Sequence, residues 1–470
     1  MQFGQLISNQ GMWGAVLATL TFVLLGFFAT KMKVFSKEIN AKIAKFTITF
    51  LLPFLTLWAF MANTSKADAA NIGIVLGLSI GFYLVFAVIT TIVVKYYPRL
   101  IPKIITKKAE KLYTKTEENA GISLLKYKEA YIRDYQAKLA TSFLMLSYGS
   151  LQFFAVPLVQ GMQGVIFNSF ANALLQVWNI PFMIGAFSYV LVVYSGQKIT
   201  KDKIKPLVKQ VMSPTMILLF LSLFIWALQW IPGLDVWYIK PGAYVGQKTV
   251  VIDGQNTIQQ LRVVVSPYAS EWRLSAADFQ GLVNKGKDAT IVFNDYTFKF
   301  IATNYTQFWG GFLIHLTSLA RPITTAVSVV SPFAWIIIGG SLATASLKSA
   351  AKDLSVWVWI INKLVVLPLI VFLITLGLVA AGAFKGQGAN DELILLNANS
   401  APVLIVLLSA TPPATVCVIY SVAYNHKWTA FTSQVSALST IGALIAMPIW
   451  VLISKLSFDA VYNALFIKHA

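Results

Sequence analysis

The chain contains a single cysteine, Cys417, and charge is almost as scarce, with Asp, Glu, Lys and Arg together making up 12% of 470 residues. One thiol excludes intramolecular disulfides and cysteine zinc clusters. The long apolar runs hold no Asp or Glu over the ranges read below, whereas cation and proton antiporters generally place carboxylates at the midplane as ion ligands or relays. The polar groups left inside the runs are neutral or basic, which suits an anionic or weakly polar substrate better than a metal cation. No phosphate-binding P-loop and no nucleophile paired with a base by spacing is present. ATP-driven transport by this chain alone and an enzymatic function are therefore both disfavoured, and no cofactor or metal is implied.

What the chain has in abundance is apolar surface. At 57% hydrophobic with a mean hydropathy of +0.70, it reads as a polytopic membrane protein. Hydropathy gives ten spans, roughly 12–30, 44–62, 71–94, 139–160, 164–195, 213–231, 310–346, 354–381, 399–424 and 429–454. No Lys or Arg precedes Lys31, so the first run is read as a retained helix and not as a cleaved signal. The net charge of +19 could suggest nucleic acid, but its distribution argues for topology instead. Of the 37 Lys and Arg, 24 fall in one set of alternate connections and twelve in the other, seven of those within one long loop. The lysine-rich side is the cytoplasmic one, which predicts both termini outside a cell (plasma) membrane.

Each half, 12–195 and 213–455, then holds five spans, and an odd number per half makes the second repeat inverted. Leu52-Pro53-Phe54 in span two matches Ser331-Pro332-Phe333 in span seven. Two polar inserts interrupt the pattern. The cytoplasmic one, 95–138, is basic, and 122–138 has helical periodicity with its charges on one face, as expected of a surface helix beside anionic lipid. The outer one, 231–307, has β-branched runs around turn signals: Val250 to Asp253 with Gly254, Arg262 to Val265, and Ile291 to Phe300 around Asn294-Asp295. It reads as a small extracytoplasmic β module acting as a lid or spacer. The expected fold is therefore all-α with ten membrane helices in two inverted five-helix repeats, plus this β-rich insert.

Spans four and nine carry proline where a helix should be continuous, at Pro157 and at Pro412-Pro413. Proline removes a backbone hydrogen bond and clashes with the carbonyl four residues earlier. Lipid cannot satisfy the freed groups, so such breaks persist where they are buried in protein or line a cavity, and in transporters they frame the substrate site. The half-helices beginning near 156–159 and 412–415 would turn unpaired N–H groups and partial positive charge toward an anion. Ser150, Gln152, Thr411 and Thr415 are the nearest side chains able to hydrogen-bond it. Asn168, Asn172 and Asn179 share a face of span five, facing either a polar pathway or a neighbouring helix. Ser433, Ser436 and Thr440 of span ten read as close-packing positions. Lys363 in span eight would cost about 2.5 to 3.5 kcal/mol at the bilayer centre, and Trp357 and Trp359 beside it favour snorkelling to the inner interface. Arg321 before Pro322 reads as a helix-start residue, and His315 as interfacial.

These residues resemble the auxin efflux carrier family, which includes bacterial malate permeases. The resemblance covers both hydrophobic halves without the inserts. It rests on Phe35-Ser36-Lys37 with Leu51-Leu52-Pro53-Phe54, on Pro332 with Gly339-Gly340-Ser341-Leu342-Ala343, on Lys363 to Pro368, and on Thr411-Pro412-Pro413-Ala414 with Ala423, Ser439-Thr440 and Met447-Pro448. It implies two inverted five-helix repeats whose broken helices four and nine cross at the substrate site, and transport of small organic anions. Span four departs from the family pattern, with Ser150 in the place of an Asn and Gln152 and Ala155 in the places of glycines. The expected substrate-binding set is Ser150, Gln152, Pro157, Asn172, Asn179, Thr411, Pro412, Pro413 and Thr415. The expected partners are a small organic anion such as malate and the lipid bilayer, without nucleic acid and with a homodimer left open. Two other functions fit the sequence, a membrane sensor or scaffold whose outer module binds a ligand, and a cation-coupled carrier of another solute.

Overall fold

Proline governs the helix geometry. Three helices widen into a π turn that ends two residues before a proline: Thr47–Leu51 before Pro53, Leu151–Ala155 before Pro157, and Asn362–Val366 before Pro368. Proline has no N–H to give and its ring collides with the carbonyl of the preceding turn, so one extra residue in that turn makes room without ending the helix. The computed structural model describes residues 10–467 except 62–65, 100–102, 115–122, 196–204, 207, 209–211, 253–254, 266–271, 287–288, 345–346, 385 and 387–390.

The chain is mostly helical. Among the described residues seven helices are long and apolar enough to cross a membrane: Glu38–Phe60, Ala70–Tyr96, Ala171–Ser195, Thr317–Thr344, Leu354–Ala380, Asp391–Ser409 and Thr429–Ile467. Three shorter apolar helices are Leu17–Lys31, Leu151–Gly161 and Pro214–Trp230. The fold is that of a helical membrane protein with small sheets. By packing it divides into two compact units, one of Met1–Thr47, Lys66–Ser213 and Ser331–Ala470, the other of Ile48–Ser65 and Pro214–Val330. This partition cuts across the halves 12–195 and 213–455.

The larger unit begins with α1 (Gln10–Lys31) and α2 (Lys37–Phe46), the latter capped by the Ser36 hydroxyl, which accepts from the Ile39 N–H at 3.2 Å. The chain passes through α3 (Leu52–Phe60), which belongs to the smaller unit, and returns with α4 (Lys66–Tyr96), α5 (Lys103–Tyr113) and α6 (Leu124–Ser147). Helix α6 unites most of the charged periodic stretch with the first part of span four, so insert and span are one rod. After the break come α7 (Val156–Gly161), α8 (Ala171–Gly185) and α9 (Leu191–Ser195), and then α10 (Pro214–Ala227) in the smaller unit.

Beyond an eleventh and a twelfth helix in the β-bearing unit, α13 (Thr317–Thr344) belongs to the larger unit from Ser331 on. Helix α1 lies against it at two glycines. A methyl at Gly26 would fall 2.2 Å from the Ile336 carbonyl oxygen, and one at Gly339 would fall 1.9 Å from that of Val23. Small residues permit this backbone approach. Helices α14 (Leu347–Lys352), α15 (Leu354–Ile361), α16 (Leu367–Ala380), α17 (Asp391–Ser409), α18 (Thr415–Ala423) and α19 (Thr429–Tyr462) complete the unit. Every residue from Ala398 to Ala414 is buried, as expected of a helix surrounded by others.

Helix α19 runs past 454, where the tenth apolar run was read to end. Lys455 and Asp459 are therefore helical and are only 3% and 4% exposed. The expectation of apolar helices without a carboxylate fails here. The two charges lie one turn apart and bond to each other at 2.7 Å, so the pair is neutral and the helix stays buried.

In the smaller unit α3 packs on α10, with Phe60 edge-on to Trp226. Its β module has a three-stranded antiparallel sheet, ordered β4 (Arg273–Leu274), β1 (Trp237–Ile239), β7 (Tyr305–Gln307), and a four-stranded one, ordered β3 (Gln255–Val265), β2 (Gly242–Ile252), β6 (Tyr296–Lys299), β5 (Thr290–Phe293). All three runs with strand signals lie in strands, while the predicted turn at 253–254 lies outside the described residues. Asn294 and Asp295 have φ of 49° and 64°, the double positive φ of a type I′ hairpin turn. Gly246 lies opposite Phe298, whose ring would meet a methyl there at 2.4 Å. Helix α11 (Ala276–Lys285) closes the module by stacking Phe279 on Trp237, centroids 3.8 Å apart and planes 4° apart. Helix α12 (Phe308–His315) follows β7. His315 is 1% exposed, packed between Phe308 and Tyr238.

Candidate functional site: two interrupted helices in contact

Helix α6 ends at Ser147, and Tyr148 turns extended at φ −91°, ψ 93°. Helix α17 ends at Ser409, and Ala414 is extended at φ −68°, ψ 142° before α18 begins. The two breaks meet as a minimal antiparallel bridge between Gly149 and Pro413. Ser150 N–H donates to the Pro412 carbonyl at 2.7 Å, and Ala414 N–H donates to the Tyr148 carbonyl at 2.7 Å. Backbone groups freed by each interruption are thus satisfied by the other, which a buried site requires. Prolines suit one strand of such a pair because they still accept through their carbonyls.

Glycine at 149 is dictated by the closeness of this contact. A methyl there would lie 2.0 Å from the Thr411 hydroxyl oxygen and 3.5 Å from the Lys363 ammonium nitrogen. Lys363, carried on the π turn between α15 and α16, is 1% exposed. Its ammonium donates to the Leu146 carbonyl at 2.6 Å, at the end of α6. The expected snorkelling is therefore corrected: the side chain turns inward to cap an interrupted helix. Among the described residues no carboxylate forms an ion pair with it. A crevice lined by Ser142, Met145, Trp359, Phe431 and Val435 reaches Lys363 and Pro413.

On the other flank α8 presents amides to the π turn after the first break. Gln152 donates to the Gln176 side-chain oxygen at 3.3 Å. Among the described residues the side-chain oxygen of Gln152 has no partner, and neither do the amide nitrogen of Gln176, both side-chain polar atoms of Asn172, and the Asn179 oxygen. Asn172, Gln176 and Asn179 are each at most 1% exposed and follow one another at offsets of four and three, on one helical face. Buried amides are normally satisfied, which makes this run of unpaired ones unusual among the described residues. Tyr148 covers this flank, its ring 5.2 Å from Tyr83 and 5.6 Å from Phe182, with its hydroxyl against Gly185.

The predicted residues divide accordingly. Ser150, Thr411, Pro412 and Pro413 form the bridge and its edges, Thr411 using its hydroxyl to cap the Leu408 carbonyl at 2.7 Å. Gln152, Asn172 and Asn179 belong to the amide flank. Pro157 is buried as the second residue of α7 and shapes the π turn. Thr415 opens α18 but is exposed and does not join the others. Asn168 precedes α8 and does not share its face; it bonds Ser400 at 3.1 Å and Asn397 at 3.2 Å, acting as glue to α17. Gln176 was missed although it continues the Asn172 spacing.

The chain matches no protein-family model, and comparison with curated proteins finds no significant relative.

Proposed function

We propose that this chain is a transporter of small organic anions, malate or a related carboxylate, working by alternating access around the contact between its two interrupted helices. The observation that carries this reading is Lys363. A buried ammonium costs several kcal/mol unless an opposite charge is near, and here it has a carbonyl and, among the described residues, no carboxylate. A carboxylate substrate entering between Lys363 and the orphaned amides would supply the missing charge and take up the free donors. The first turn of α18, with N–H groups that lack intrahelical acceptors, adds partial positive charge.

The remaining parts of the reading follow from it. The ten apolar segments are membrane spans in two inverted five-helix repeats, the lysine-rich connections face the cytoplasm, and the β module stands outside. Membership of the auxin efflux carrier family belongs to the same proposal, supported by the contact at Pro412-Pro413 and the motifs around it. Each unit charge moved across 100 mV is worth about 2.3 kcal/mol, so import of a dianion against an inside-negative potential needs exchange, a co-transported cation or a steep gradient.

The test is uptake of labelled malate into liposomes holding the purified full chain, with imposed potentials of both signs. Saturable, potential-sensitive flux is expected from the wild type, and Lys363→Met should reduce it by about tenfold or more, a loss of roughly 1.4 kcal/mol. Absence of saturable flux rejects malate, and undiminished flux in the variant removes Lys363 from the site.

A further inference from the structure

The carboxylate that the sequence reading missed has the makings of a second site. Asp459 Oδ1 accepts from Lys455 at 2.7 Å and from the Asn399 amide at 2.8 Å. Among the described residues Asp459 Oδ2 and the Asn399 side-chain oxygen have no partner, although Asn399 is fully buried and Asp459 is 4% exposed. Two oxygens, one of them anionic, are thus held beside a cation that occupies only half of the carboxylate. Lys455 lies about three turns from the end of the helical stretch, which runs past α19 through a π turn at Asn463–Ile467, and its flexible stem allows the ammonium to swing off the carboxylate while its methylenes stay buried.

We propose that Asp459 and Asn399 bind a monovalent cation, a proton or Na+, in competition with the ammonium of Lys455. The exchange swaps one positive charge for another, so the pocket stays neutral throughout and neither state carries the cost of an isolated buried ion. The route to the candidate substrate site is short and contiguous. Ser400, next to Asn399 on α17, accepts from Asn168 N–H at 3.1 Å and donates to the Asn168 side-chain oxygen at 3.1 Å. Asn168 leads into α8 with its orphaned amides, and α17 itself runs on to the bridge at Pro413. Cation occupancy would therefore bias both elements that frame the anion. That coupling rests on the transport reading above, whereas the cation site does not.

The groups around Asp459 limit what can titrate. Lys455 is its charged partner on α19, Tyr462 lies one turn on, α17 contributes Asn399, and α16 contributes apolar contacts such as Phe372 against Phe458. The experiment is thermal unfolding of the purified full chain in detergent, as wild type, Lys455→Met, and Lys455→Met combined with Asp459→Asn. NaCl is exchanged for choline chloride at constant ionic strength, and pH is varied from 8 to 5.5 in choline alone.

Freed of its competitor, the single variant should gain about 3 °C or more in Tm with the bound cation. A gain with Na+ at fixed pH identifies Na+, and a gain on acidification in choline identifies the proton. The double variant should gain from neither. Loss of stability in Lys455→Met that neither cation repairs, or an equal response in the double variant, overturns the site and leaves a structural ion pair. If the single variant does not fold, a wild-type Na+ or acid response that Asp459→Asn abolishes supports the proposal, and its persistence rejects it. Malate flux by the wild type, measured in parallel, judges the transport reading separately.

Discussion

Gly149 and Thr411 approach so closely that any side chain at 149 would begin 2.0 Å from the Thr411 hydroxyl oxygen. The contact joins two interruptions 262 residues apart, and it offers the most direct handle on whether their proximity matters.

Gly149→Ala should destabilise the protein by about 1–3 kcal/mol through overpacking. Thr411→Ala removes the colliding oxygen but leaves the Cβ, 3.2 Å from the added methyl. The double variant should therefore recover part of the loss. A double-mutant cycle on thermal unfolding measures that recovery, and additivity of the two losses would show that the residues do not touch.

Gly339→Ala and Gly377→Ala should move stability in opposite directions. A methyl at 339 meets backbone, the Val23 carbonyl oxygen at 1.9 Å, which cannot rotate away, whereas one at 377 meets nothing within 4 Å. The first should cost about 1–3 kcal/mol and the second should gain up to about 1 kcal/mol of helix propensity. Circular dichroism melts of both in the same detergent decide it.

Phe279→Ala should loosen the β module. Its ring is 9% exposed and stacked on Trp237, and truncations of this kind cost about 3–5 kcal/mol. Limited proteolysis should cut the variant between 237 and 307 faster than the wild type, and equal rates would contradict the packing described.

Asp353 caps α15 by accepting from the Ser355 N–H at 2.8 Å. Burial raises its pKa, but the Ser355 hydroxyl and N–H and the charge of Lys138 outweigh that and leave it below the ordinary value. A depressed carboxylate contributes stability above its unfolded value, near pH 4, and loses it as pH falls through the folded one. Asp353→Asn should flatten that acid limb of a Tm-against-pH curve, and an unchanged limb would rule the cap out as its source.

The readable part of the fold was the part written in local chemistry. Pro412-Pro413 announces a break because proline's missing donor acts within one turn, whereas Pro157 only shapes the π turn that follows the interruption at 148–150; Asn294-Asp295 announces a hairpin because the turn needs two positive φ angles. Lys363 defeated the same approach: tryptophans beside it are equally compatible with a head turned outward or inward, and the Leu146 carbonyl that draws it in is 217 residues away. Lys455 and Asp459 depress local hydropathy and mimic a helix end, although paired charges let α19 continue. Asn168 fits a helical face by spacing, but helix α8 starts three residues later. Helical period is a property of sequence; helix onset depends on what the flanking chain bonds.

The joint between residues 148–150 and 412–414 is made of main-chain amides and carbonyls. Such a joint is indifferent to the identity of the side chains that decorate it, provided position 149 stays bare. Side chains at positions 150, 152, 172, 176 and 179 can then vary while this main-chain contact remains as it is.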